Sequence, residues 1–121
     1  MNELPPQVQN QLAQLQQVQQ QAQALVQQKG QVEMLLRETE KALEELKKTE
    51  ENATIYRAAG ELLIKANRED VLKDLEERKD SLDIRLKSLS RQEERIQARF
   101  NQLQDQLKQA LGGAKGPARA E

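Results

Sequence analysis

The chain has 121 residues, 19 basic and 20 acidic side chains for a formal net charge of −1, 36% hydrophobic residues and 2% aromatic residues. With one Tyr, one Phe and no Trp it lacks the bulk to fill the core of a sandwich, barrel or doubly wound sheet, while Leu at regular intervals and scarce Gly and Pro exclude an ordinary disordered chain. A composition led by Leu, Gln, Glu, Lys, Arg and Ala is that of long helices and coiled coils.

The first predicted element is a helix over about residues 5–52. Pro5-Pro6 opens it, proline being suited to a first helical turn. Gly30 is the one glycine inside it, at a cost of about 1 kcal/mol that a long helix tolerates. With Val8 as heptad position a, the a positions are Val8, Leu15, Ala22, Lys29, Leu36 and Leu43, and the d positions Gln11, Val18, Leu25, Val32, Thr39 and Leu46. The polar members weaken this seam, so the helix needs a partner. Thirteen glutamines lie between residues 7 and 31, and from residue 1 to 32 only Glu3 and Lys29 are charged.

Residues 53–66 change character to strand-like composition. Ala59-Gly60 suits a tight turn between strands at 54–58 and 62–66, giving one β-hairpin. Asn67 then offers an N-cap, with Asp70 at the N3 position, to a second helix predicted over 68–111. Its heptad is stronger: a positions Leu72, Lys79, Leu86, Glu93, Phe100 and Leu107, d positions Leu75, Leu82, Leu89, Ile96, Leu103 and Ala110. Gly112-Gly113 is expected to stop it, leaving a disordered tail at 112–121 after a single domain at 1–111.

Two helices of similar length joined by a short connector are expected to fold back as an antiparallel coiled-coil hairpin, each arm roughly 60–70 Å long at 1.5 Å per residue. Facing a against d pairs Leu46 with Leu72, Leu43 with Leu75, Thr39 with Lys79, Leu36 with Leu82 and Val32 with Leu86. The same register continues through Ala22–Ile96, Val18–Phe100 and Leu15–Leu103 to Val8–Ala110. Lys29 and Glu93 fall in neighbouring layers, where they either pair across the hairpin or snorkel to water.

Function follows from what this arrangement leaves uncovered. A lone two-stranded hairpin is marginal in water and has open edges, and Ile55, Tyr56, Leu62, Leu63 and Ile64 lie on it. The simplest cover is intersubunit, with hairpins of several chains joining in a shared sheet or barrel. At the other end the apolar residues Leu4, Val8, Leu12, Leu15, Val18, Phe100, Leu103, Leu107 and Leu111 exceed what a two-helix seam buries. Exposed apolar area on a nearly uncharged, Gln-rich end marks an interaction site without a charge code.

Catalysis has no foothold here. Without Cys there is no disulfide, thiolate nucleophile or Cys-based metal site, and without His the commonest general base and metal ligand are missing. The carboxylate-rich stretches alternate with Lys and Arg and read as solvated helix faces. No enzyme activity, cofactor or metal is therefore expected. Near-neutral charge lacks the basic footprint of a nucleic-acid binder. Apolar runs such as Leu62-Leu63-Ile64 are far too short to span a membrane, so a cytoplasmic protein is expected.

A Gln-rich first helix, the central Ile55-Tyr56-Arg57-Ala58-Ala59-Gly60-Glu61-Leu62-Leu63-Ile64 and a heptad-rich second helix together resemble the beta-type prefoldin family of archaea. Glu40-Lys41-Ala42-Leu43-Glu44-Glu45-Leu46 and Arg91-Gln92-Glu93-Glu94 agree, and the likeness extends over residues 4–111. The short connector matches the beta type, since alpha-type subunits carry two hairpins. The resemblance implies an ATP-independent co-chaperone in a hexamer of two alpha and four beta subunits. Its hairpins would build a β-barrel platform, and its coiled-coil tips would capture non-native proteins for a group II chaperonin. The tip residues above would then bind clients, and the hairpin residues would carry oligomerisation. A different class of reading is a structural coiled-coil adaptor or scaffold that binds one defined partner helix; it calls for charged e and g positions at the binding end.

Overall fold

The computed structural model describes residues 4–114. Two helices, α1 (Pro6–Lys47) and α2 (Arg68–Ala114), flank two strands, β1 (Ile55–Ala59) and β2 (Leu62–Ala66), so the chain is mostly α with a single antiparallel β-hairpin between its helices. By its internal contacts the chain divides into two compact units. The inner unit is Lys29–Ser88; the terminal unit combines residues up to Gln28 with those from Leu89 onward.

In the inner unit the helices run antiparallel, as the pairs Lys47–Glu76 and Lys79–Glu40, each at 4.0 Å, require. Val32, Leu36, Leu43 and Leu46 of α1 are buried, and Leu72, Leu75, Leu82 and Leu86 of α2 are half-buried. The heptad assignment therefore selects the packed face of each helix. Of its two polar seam positions on α1, Lys29 and Thr39, the second is handled locally. Thr39 is buried, and its Oγ1 donates to the Leu35 carbonyl at 2.8 Å, one turn back on its own helix. Lys79, half-buried, carries its ammonium outward to Glu40 and to Asp83 at 3.3 Å.

The terminal unit repeats this packing with different chemistry. Val8, Val18 and Leu25 of α1 and Leu89 and Leu103 of α2 are buried. Leu15, Ala22, Ile96, Phe100, Leu107 and Ala110 are half-buried. Residues 21–28 and 92–96 line one shallow groove, which places these stretches side by side. Gln11, a seam position, holds its Oε1 buried without a hydrogen-bond partner. Lys29 in the inner unit and Glu93 in the terminal one are both half-buried, and each has a polar or electrostatic partner.

Three boundaries differ from those expected. The first helix ends at Lys47 rather than near 52. Residues 48–52 have adequate helix propensity, but the chain turns here because Thr49 Oγ1 takes the Leu46 carbonyl and Arg68 caps the same end. The hairpin turn is Gly60-Glu61 rather than Ala59-Gly60. Gly60 has φ +62° and no other described residue has positive φ, the pattern of a type II′ turn with Gly first. The second helix passes through Gly112 and Gly113 to Ala114. Glycine at a helix end costs only about 1 kcal/mol and is not an absolute stop. The rest of the expected tail, 115–121, lies outside the described residues. At the start of α2, Asn67 Oδ1 accepts the Asp70 amide at 3.1 Å, the N-cap geometry that the sequence indicates.

Candidate functional site

The hairpin register pairs Ile55 with Ala66, Arg57 with Ile64 and Ala59 with Leu62, and between them Tyr56 with Lys65 and Ala58 with Leu63. Strand alternation therefore puts Ile55, Arg57, Ala59, Leu62, Ile64 and Ala66 on one face, and Tyr56, Ala58, Leu63 and Lys65 on the other. Apolar side chains are open on both. Tyr56 is 60% exposed, Leu62 65%, Leu63 73% and Ile64 51%. Ile55 is half-buried. The sheet has two strands, so both outer edges keep unpaired backbone donors and acceptors. Burying a Leu or Ile side chain of this kind is worth about 1.5–3 kcal/mol. Three such side chains, Leu62, Leu63 and Ile64, lie open beside Tyr56 on ten residues of strand, an apolar surface that its own chain leaves uncovered.

The hairpin is tied to the helices on two sides. Arg57 Nη2 on β1 meets Asp74 Oδ2 on α2 at 2.7 Å, a half-exposed pair. Arg68, the first residue of α2, reaches back to the end of α1. Its Nη2 donates to the carbonyls of Leu46 at 3.1 Å and Thr49 at 3.2 Å, and its Nε to Thr49 Oγ1 at 3.0 Å. Neither arginine stood out in the sequence. The available signal at Arg68 was a cation at a helix N-terminus, where the dipole disfavours it.

In the terminal unit the nine apolar residues singled out from sequence separate into three groups. Leu4 and Leu111 are exposed, Leu12, Leu15, Phe100 and Leu107 half-buried, and Val8, Val18 and Leu103 buried. The last three close the seam and offer no open surface, because even close to the helix ends the a/d layers stay packed. Val26, at an e position and 56% exposed, joins the open set. The e and g positions of α1 in this unit are Gln7, Leu12, Gln14, Gln19, Gln21, Val26 and Gln28, none of them charged. On α1 the surface offers apolar contact and amide hydrogen bonds without charge, while α2 of the same unit carries Arg91, Glu94, Arg95, Arg99, Asp105 and Lys108.

No helix among the described residues is long and apolar enough to cross a membrane. The same order of elements recurs in known proteins. The crystal structure of the prefoldin beta subunit from Thermococcus strain KS-1 superposes with a TM-score of 0.83 at 38% identity, covering 92% of this chain and 97% of that one. Prefoldin subunit beta of Methanocella arvoryzae is 78% identical over 116 residues, 96% of this chain and 92% of the relative. That of Archaeoglobus fulgidus is 52% identical over 116 residues, 96% of this chain and the whole of the relative. A family model described as prefoldin subunit matches residues 9–114. A two-stranded hairpin set between two long helices is thus a build shared with a chaperone family, and this chain belongs to it as a beta-type prefoldin subunit.

Proposed function

We propose that the chain is the beta subunit of an ATP-independent co-chaperone that holds non-native proteins and passes them to a group II chaperonin in the cytoplasm. Assembly runs through the hairpin. Tyr56, Leu62, Leu63 and Ile64, with Ile55 at the margin, pair with hairpins of alpha subunits and of further beta copies, in a hexamer of two alpha and four beta chains with a shared β-barrel. Client contact falls to the terminal unit, where Leu4, Val26 and Leu111 are open and Leu12, Leu15, Phe100 and Leu107 partly so. Val8, Val18 and Leu103 act from beneath, by holding the seam that displays the others.

The observation that carries this reading is the pairing of exposed apolar side chains with uncharged e and g positions on α1 of the terminal unit. A chain that must hold many unrelated sequences gains from contacts that demand no particular charge, and weak sites on several subunits add through effective concentration. A scaffold for one defined helix needs the opposite, a coded rim of Glu and Lys at those positions. The test is suppression of aggregation of two unrelated denatured proteins, without nucleotide, by the assembled protein. Removing residues 1–10 together with those from 110 onward is expected to leave the oligomer intact and abolish protection. Full protection by the truncated protein would move client binding elsewhere.

A further inference from the structure

We infer that Arg68 is a positioning residue for assembly: it caps α1 from the start of α2 and so holds the hairpin in the attitude in which its pairing surface is presented. The inference rests on the reading of the hairpin as the assembly surface.

A helix leaves its last four carbonyls without intrahelical partners. The common remedy is a left-handed residue just past the end, usually Gly. α1 has none, since Gly60 is the only described residue with positive φ. Part of the remedy is local, since the Lys48 amide donates to the Glu45 carbonyl at 3.2 Å and the Thr49 amide and hydroxyl donate to that of Leu46; the rest comes from about twenty residues along the chain. Arg68 meets the Leu46 and Thr49 carbonyls through Nη2 and Thr49 Oγ1 through Nε, and its side chain is only 11% exposed. Its remaining contact is Nη1 to Glu69 Oε1 at 3.4 Å.

The charge is in the wrong place for α2 and the right place for α1. A cation at a helix N-terminus opposes the dipole, whereas the same cation at a C-terminus is favoured. Glu69 and Asp70 in the first turn supply what α2 itself prefers. The position of Arg68 is therefore explained by its service to α1. The planar fork also matters, because it meets three acceptors in one orientation, which a lysine ammonium on a flexible stem does not fix.

The geometric effect is to close the connector. Residues 49 and 68 are pinned together, and the hairpin grows out of that closed base. Arg57–Asp74 adds a second tie on the flank of β1, but as a half-exposed pair it is weak alone. An assembly surface on a loose loop would lose ordering entropy at each association; a pinned hairpin has lost it already in folding. Arg68 thus acts on subunit affinity through presentation, without touching the partner chain.

The experiment compares Arg68→Lys, Arg68→Ala and Leu62→Asp in the full chain, assembled as the native oligomer is, with alpha subunit where that is required. Three quantities are read: helical circular dichroism, oligomer mass by light scattering over a dilution series, and hydrogen exchange of amides 55–66 in the dissociated subunit. Arg68→Lys and Arg68→Ala are expected to keep native helicity, to dissociate at roughly tenfold higher concentration and to lose hairpin protection even as monomers. A residue that serves only arm stability would move helicity and leave hairpin protection alone, and that result overturns the proposal. Unchanged association of a helical Arg68→Ala overturns it too. Leu62→Asp separates the two levels. If it dissociates the oligomer while the Arg68 variants do not, the positioning role alone fails. If it assembles like the native chain, the hairpin reading falls and the proposal with it.

Discussion

The inner and terminal units share the heptad seam but differ in the surface that α1 wears: charged in the first, uncharged in the second. In the inner unit the helices wear Glu, Lys, Asp and Arg, with cross-helix pairs at Lys47–Glu76 and Lys79–Glu40 and the buried Thr39 hydroxyl bonded within its own helix. In the terminal unit the α1 stretch from 4 to 28 carries no charge at all, and a buried Gln11 amide oxygen has no partner. Packing alone does not distinguish the two, since buried seam residues occur in both. The difference teaches that the seam is responsible for the coiled coil, while the outer positions of α1 set the chemistry each unit shows. On the proposed function, the uncharged α1 stretch is the part open to unrelated chains.

That contrast can be tested first at the seam. Leu43→Ala, at a residue 5% exposed, is expected to cost about 2–5 kcal/mol. Leu107→Ala, at a half-buried site near the end of α2, should cost clearly less. Thermal unfolding followed by circular dichroism compares them, and equal losses would erase the gradation. The next largest effect concerns the terminal unit alone. Gln11→Leu removes a buried unpaired acceptor and should stabilise that unit by about 1–3 kcal/mol, read as slower amide exchange in residues 6–18. No gain would mean that Gln11 finds water in solution and the seam there is already satisfied.

Gly30→Ala comes third. A Cβ at Gly30 would meet nothing within 4 Å, so the change should stabilise α1 by about 1 kcal/mol through helix propensity. A fall in melting temperature would show that the glycine is there for a bend or a partner. The smallest effect sharpens the role of charge. Arg57→Ala removes a pair whose side chains are 50% and 56% exposed, worth at most about 1 kcal/mol, and its loss should be hard to detect at high salt. A larger loss, insensitive to salt, would show that the pair is desolvated in the assembly.

Much of this was legible in the sequence because heptad spacing is written residue by residue. Every a and d position assigned to α1 and α2 is buried or half-buried. The N-cap at Asn67 was legible for the same local reason. What escaped depends on contacts between residues far apart in the chain. The end of α1 at Lys47 could not be read from propensity, because part of its cap arrives from Arg68, beyond the hairpin, and joins that of Thr49. The turn slipped by one residue since either side of Gly60 permits a two-residue loop, and the positive φ at Gly60 with its register decides it. At the candidate client surface, spacing identified the apolar residues but not their degree of exposure. Val8 and Leu103 are sealed where Leu4 and Leu111 are open, a distinction set by packing across the seam.

The hairpin register has a consequence for how the chain folds. Ile55–Ala66, Thr49–Arg68, Lys47–Glu76 and Glu40–Lys79 are nested pairs around a midpoint near Gly60. Each outer pair closes only a small loop once the pair inside it has formed. The entropy of bringing distant segments together is thereby divided into short steps, each a few residues long, instead of one search over the whole chain. Such a topology favours nucleation at the turn and outward zippering, with a low contact order and fast folding. A subunit built this way reaches its paired state within its own chain before it meets another, so the assembly rate should rise with subunit concentration and show no slow unimolecular phase.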